Sequence, residues 1–292
     1  MTSSPRSSDP SPFETHPRRF QANRYVYPVV SRRSRGVSIG VNLNLDKTCN
    51  FNCVYCQVDH TQTELPKPLD PELLARELDD AIEMVTSGRL FEHPAFRGVS
   101  DSLRRLNDIA LSGDGEPTLH VDFPRAVDVC AEALRRHDLT GNVKLVLITN
   151  AGRLHQEPVR GALEVLAANG GEIWAKLDAG TQDFYRHVNR SKVPFQQILD
   201  NLKETAKQQP IVIQTLFAGL HGEGPSDDEI EAYAERLRQI VDAGGQIKTV
   251  QIHTVARQTA EPWVTPLAVD TIESIGERVR RETGLNVETF HS

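Results

Sequence analysis

Short apolar runs with strand character alternate with longer amphipathic runs from Val37 almost to the end of the chain, and nothing else in the sequence limits the fold so tightly. VSIGVNLNL (37–45), NDIALSG (107–113), VKLVLITN (143–150), EIWAKLDA (172–179), PIVIQTLFAG (210–219) and TVQIHTVA (249–256) read as strands, with LNVETF as a short edge strand near the end. Between them, 71–85, 123–137, 158–168, 194–207, 227–244 and 268–284 read as helices, the clearest of them with apolar residues at helical spacing. Boundary signals agree: Asp70 stands as N-cap before Pro71, Ser226 as N-cap before DDEIEAYAERLRQIVDAG, and glycines follow the latter's end. Continuous apolar runs such as VKLVLIT suit strands buried on both faces. About six β-α units in series predict an α/β fold, a parallel sheet with helices outside, whose ligands sit at the carboxyl ends of the strands. Residues 86–104 read as an irregular insertion.

Three segments are expected: a disordered tail rich in Ser and Pro (1–15), a basic arm (16–36) and one barrel domain (37–292). A chain of 292 residues, 38% hydrophobic and 25% charged, buries a full core without disulfides. No run approaches the roughly 18–20 apolar residues of a membrane helix, and MTSSPRSSDPSPF lacks the apolar core of a secretory signal. The cytoplasm is the expected compartment. A net charge of −7 argues against a broadly basic nucleic-acid surface. The local exception is Arg18, Arg19, Arg24, Arg32, Arg33 and Arg35, with no acidic residue among them. This strip reads either as a solvated or barrel-capping arm or as an RNA-contacting surface.

Of four cysteines, three lie in DKTCNFNCVYCQVDH, where Cys49, Cys53 and Cys56 follow the first strand with C-x3-C-x2-C spacing. Clustered rather than dispersed thiols read as a metal site in a reducing compartment. Cys130, inside VDVCAEAL, reads as a buried helix residue. Three thiolates on one loop hold three irons of a cubane and leave the fourth open to an exogenous ligand. Two other readings stand beside this one. His60, four residues after Cys56, allows a Cys3His zinc site. Buried free cysteines are the other, and the polar Asp46, Lys47, Asn50 and Asn52 speak against them.

Polar residues recur at the strand ends: Gly113 to Glu116, Asn150, Asp178, Gly219 and His253. Their repetition points to one shared site. In LSGDGEPTLH the glycines Gly113 and Gly115 permit close backbone approach to a ligand, or simply form a tight strand-to-helix turn. Lys176 lies two residues before Asp178, so both face the same side. It is a candidate catalytic group as acid, base or Schiff-base former, or else a counter-charge to Asp178. Gln214 and Thr215 interrupt the fifth strand; Gln251 and His253 interrupt the sixth and share a face. His253 is a second catalytic candidate, the alternative being a hydrogen-bonded core histidine. In RHVNRSK (186–192) the cations Arg186, Arg190 and Lys192 read as an anion site or a solvated loop.

The cysteine loop, with the aromatic Tyr55 just before its last Cys, resembles the radical S-adenosylmethionine (SAM) superfamily, over about residues 36–260. Gly113-Asp114-Gly115-Glu116 resembles its glycine-glycine-glutamate motif. The resemblance implies a partial (β/α)6 TIM-like barrel and a [4Fe–4S] cluster on Cys49, Cys53 and Cys56. SAM would bind its open iron, and reductive cleavage would give a 5′-deoxyadenosyl radical. It further implies Tyr55, Gly113, Gly115, Glu116, Asn150 and Asp178 as cofactor-binding residues, and an external electron donor of flavodoxin or ferredoxin type. Within the superfamily, VNLNLDKTCNFNCVYCQVD, SGDGEPTLH, ITNAG and KLDAGT look most like the wyosine/wybutosine-synthesis group. Members of that group modify tRNA and carry a second cluster on N-terminal cysteines, whereas this sequence has no cysteine before Cys49. The expected reading is therefore a one-cluster radical enzyme acting on a small-molecule or unassigned substrate. A tRNA-modifying enzyme and a non-catalytic iron–sulfur or zinc protein are the alternatives.

Overall fold

A computed structural model describes residues 18, 20–31, 33–60, 67–257, 259 and 261–291. The expected tail, 1–15, lies outside the described residues, as do Arg19 and Arg32 of the basic strip.

The alternation in the sequence becomes six β-α units and a closing strand. In chain order these are β2 (Gly36–Val41), α1 (Pro71–Thr86), β3 (Leu106–Leu111), α2 (Phe123–Arg136), β4 (Lys144–Thr149), α3 (Glu157–Ala168), β5 (Glu172–Lys176), α4 (Gln182–Asn189), α5 (Phe195–Gln208), β6 (Ile211–Leu216), α6 (Asp227–Asp242), β8 (Ile247–His253), α7 (Val269–Thr283) and β10 (Val287–Phe290). β1 (Val26–Ser31) precedes them, and β7 (Gly219–Leu220) and β9 (Val264–Thr265) form a small separate ribbon. The main sheet runs β1-β2-β3-β4-β5-β6-β8-β10, parallel except where β1 pairs antiparallel with β2. This is the expected α/β half-barrel, a curled sheet with helices on its convex side.

Strand alternation sorts the side chains. Ile39, Val41, Ile109, Leu111, Leu145, Leu147, Ile173, Ile213, Val250 and Ile252 lie in the main core with the helices. Ala110, Val146, Trp174 and Val212 form a separate small cluster, the inner lining. At the amino ends of the strands, ion pairs cross the barrel floor. Glu172 meets Lys144 at 2.9 Å and also Lys248, and Arg35 beside β2 reaches Glu288 on the far edge strand at 3.5 Å. Asp108, buried near this floor and bonded to Ser38, has its carboxyl pushed up to about 6 by burial.

Two elements depart from expectation. Residues 26–31 of the supposed basic arm are strand β1, pinned by Glu77 of α1, whose buried carboxylate accepts the N–H groups of Arg24, Tyr25 and Val26 at 2.7, 2.8 and 3.1 Å. Much of RHVNRSK is not loop but the end of α4, which closes with Arg190 in the left-handed region (φ 46°).

Candidate active site

The cysteine loop leaves the end of β2, at the carboxyl mouth of the half-barrel, and α4 holds it there. A helix ends with unpaired carbonyls, and here two of them find the loop: Asn52 N–H donates to Asn189 O at 3.0 Å and Val54 N–H to Val188 O at 2.9 Å. Ser191 Oγ donates to Asn50 O at 2.8 Å. Phe51 packs edge-on against Tyr185, which stacks on Phe195 of α5 at 4.9 Å between ring centroids. Neither α4 nor these straps was legible as a support for the cysteines.

Each thiol meets a different neighbour. Cys49 Sγ receives Phe51 N–H at 3.4 Å and Asn150 Nδ2 at 3.8 Å, Cys53 Sγ receives Asn189 Nδ2 at 3.4 Å, and Cys56 Sγ lies 3.6 Å from His60 Nε2. His60 Nδ1 is 3.1 Å from Lys47 O, a bond the ring must donate. Burial pushes the Cys49 thiol up to about 12, with Glu116 adding to the rise, and Cys53 to about 11 against the pull of Lys176. Such thiols stay protonated at neutral pH unless a metal takes the proton's place. Among the described residues no three His, Cys, Asp or Glu side chains converge on a single ion. The Cys3His arrangement for zinc is therefore not assembled. A cubane asks for something else, since each thiolate takes its own iron.

The two glycines of the GDGE turn serve the chain's own packing. A Cβ on Gly113 would stand 2.2 Å from Asn42 Oδ1, and one on Gly115 2.1 Å from Thr48 O, so only glycine lets this turn lie against the cysteine loop. Glu116 N–H then donates to Thr48 O at 3.1 Å. Asp114 is clamped by Asn42 Nδ2 at 2.7 Å and Arg18 at 3.1 Å, and Arg18 also bonds Gly113 O. Glu116 is buried, and its oxygens accept from Thr118 Oγ1 and Thr149 Oγ1, both at 2.6 Å, Thr118 N–H at 3.3 Å and Asn150 N–H at 2.7 Å. Burial still raises its pKa. Asn150 Nδ2 bridges to Asn50 Oδ1 at 2.7 Å. Asp178, equally buried, accepts from Tyr55 Oη, from Asn189 Nδ2 at 2.9 Å and from Leu216 N–H at 2.9 Å. Gly115 and Glu116 thus meet Thr48, Asn150 meets Cys49 and Asn50, and Asp178 meets Tyr55, while Gly219 lies apart in the β7–β9 ribbon; both carboxylates are met by protein donors.

Lys176, Gln214 and Gln251 are register partners across β5, β6 and β8, and His253 follows two residues after Gln251 on the same face. That face carries Trp174 and Val212 and is the concave one. Lys176 Nζ lies 5.0 Å from the centre of the Tyr55 ring. Gln214 Nε2 donates to Gln251 Oε1 at 2.9 Å, while Gln214 Oε1 is buried with no hydrogen-bond partner among the described residues. Thr215 points the other way, to Leu177 O and Tyr233 Oη. Cys130 is fully buried in α2, as expected. Among the described residues no helix is long and apolar enough to cross a membrane.

Comparison with known proteins agrees with this arrangement. A UPF0026 protein of Methanocaldococcus jannaschii is 25% identical over 260 residues, 85% of this chain and 68% of that protein. A protein of Brachyspira hyodysenteriae named GTPase Obg is 24% identical over 250 residues, 83% of this chain; the chain spans only 31% of its length. A structure of TYW1 with a lysine-pyruvate adduct bound superposes with a TM-score of 0.54 at 16% identity, over 85% of this chain and 74% of that one. Residues 43–237, two thirds of the chain, which include the cysteine loop, the GDGE turn, Asn150, Lys176 and Asp178, match the Radical SAM superfamily, and the chain belongs to it.

Proposed function

We propose that the chain is an enzyme that cleaves SAM reductively at a [4Fe–4S] cluster and uses the resulting radical on a substrate held in the half-barrel. The observation that carries this reading is the set of three thiols on one strapped loop, each beside a different neighbour, at the mouth of a concave face with polar side chains. The residues fit the groups the family implies. Soft thiol donors suit iron and sulfide, and the orphaned acceptor Gln214 Oε1 on the concave face suits a ligand that brings a donor. Cys49, Cys53 and Cys56 would hold the cluster; Tyr55, Gly113, Gly115, Glu116, Asn150 and Asp178 would form the SAM site around it.

When bound, the pair supplies a 5′-deoxyadenosyl radical able to take a hydrogen atom from an unactivated carbon. The chain's own part is positioning and shielding. Asp178 fixes Tyr55 against the loop, Glu116 ties the GDGE turn to the end of β4, and Trp174 and Val212 keep the lower interior dry. Lys176 and His253 are assigned to proton handling or substrate contact, on a substrate whose class the site leaves open. A second reading concerns Lys176 alone, an amine on the concave face. The lysine-pyruvate adduct in TYW1 supports Schiff-base formation with a keto acid here, with loss of water. The test is anaerobic reconstitution followed by reduction. Addition of SAM should change the electron paramagnetic resonance (EPR) spectrum of the reduced cluster and release 5′-deoxyadenosine. A cluster indifferent to SAM would overturn the proposal.

A further inference from the structure

A cleft of about 560 Å³ opens on the outer side of the cysteine loop, between the β4–α3 and α4–α5 connections. Cys49, Asn50 and Asn52 form one wall, and its charged lining is wholly basic: Arg153, Arg190 and Lys192, with His155 beside them. Arg190 is paired with Glu261 at 2.5 Å, but Arg153 and Lys192 make no ion pair among the described residues. This concentration of positive charge sits on a chain whose net charge is −7. We propose that the cleft docks an acidic one-electron carrier protein and receives its electron through the Cys49 side of the loop.

The proposal rests on the cluster assigned above. Among the described residues the cysteine outside the loop, Cys130, is buried in α2 and offers no relay to it. The cleft brings the surface to Cys49, and Lys176, Gln214 and Gln251 of the concave face are not among the residues that line it. A net charge of −7 repels an acidic carrier and a basic cleft orients it, the pattern that raises association rates for transient redox encounters. RNA is the less fitting occupant. It needs a basic track along its backbone, and two arginines of the segment that could extend one are paired with carboxylates, Arg18 with Asp114 and Arg35 with Glu288. The transfer forms and breaks no bond: the carrier is oxidised by one electron and the cluster passes from the 2+ to the 1+ state.

The test uses the reconstituted chain, Arg153→Glu/Lys192→Glu, and a reduced acidic ferredoxin as probe. Two quantities are read: ferredoxin affinity by calorimetry at low and high salt, and cluster reduction by rapid-freeze EPR. Neutral photoreduced deazariboflavin serves as the control reductant. We expect the double variant to lose at least about tenfold in ferredoxin affinity and reduction rate, with wild-type binding weakened by salt and the deazariboflavin rate unchanged. Equal affinity and rate in variant and wild type would overturn the proposal. So would loss of bulk tRNA binding with ferredoxin reduction intact, which would make the cleft an RNA surface. If the wild type takes up no cluster, the reading under Proposed function fails, and this one with it; a cluster that forms but ignores the charge reversal sinks this inference alone.

Discussion

Asp178 and Glu116 carry buried carboxylates whose partners are protein donors, so they set the shape of the site before any ligand enters. Asp178→Asn replaces an acceptor with a group half donor, facing the donors of Tyr55 and Asn189, at a cost of about 1–3 kcal/mol. The expected result is a folded chain with a looser cysteine loop, seen as reduced iron retention on gel filtration beside a near-normal far-UV circular dichroism spectrum. Asp108 carries a different signal. Its folded pKa of about 6 lies above the ordinary carboxyl value, so its contribution to stability is fully present below about pH 4 and is lost as pH rises through 6. Asp108→Asn keeps the neutral form, and its melting temperature should gain on the wild type between pH 4 and pH 8, by up to about 3 kcal/mol of stability. A gap that stays constant with pH would contradict this. Sequence named Glu116 and Asp178 because carboxylates at strand ends stand out. It could not show that Thr149 and Leu216 supply partners to them, since those contacts exist only once strands lie side by side.

Among the elements, boundaries were legible wherever caps and period agreed. α1 begins at Pro71 behind Asp70, whose side chain accepts Leu73 N–H, and α6 begins behind Ser226, as read from the sequence. β1 was missed because its short apolar run follows a cluster of arginines, which drew the reading toward a solvated arm. α4 was missed because a helix of eight residues offers only two turns of periodicity and ends in cations. Both matter to the site: α4 straps the cysteine loop, and the chain entering β1 brings Arg18 onto the GDGE turn. Glu77, on α1, is the residue that anchors β1. Glu77→Ala leaves three backbone N–H groups without their acceptor and should cost about 3 kcal/mol or more. Hydrogen exchange checks it: faster exchange is expected in Val26–Ser31 and little change in β4 and β5.

For the molecule as a whole, the six β-α units and the position of the cysteine loop were readable because both are local patterns in the chain. The curl followed from the resemblance of the motifs and not from the order of elements, because it depends on pairs far apart in sequence, such as Arg35 with Glu288 and Lys248 with Glu172. The central claim is that three thiols at the mouth of this half-barrel assemble a cluster rather than a single-ion site. The most direct measurement is the metal and sulfide content of the anaerobically reconstituted chain, alongside a variant with Cys49, Cys53 and Cys56 changed to Ala and a Cys130→Ala control. About four irons and four sulfides per chain are expected in wild type and control, and none in the triple variant. One tightly held zinc with no sulfide, or iron binding that survives loss of the three cysteines, would contradict the account.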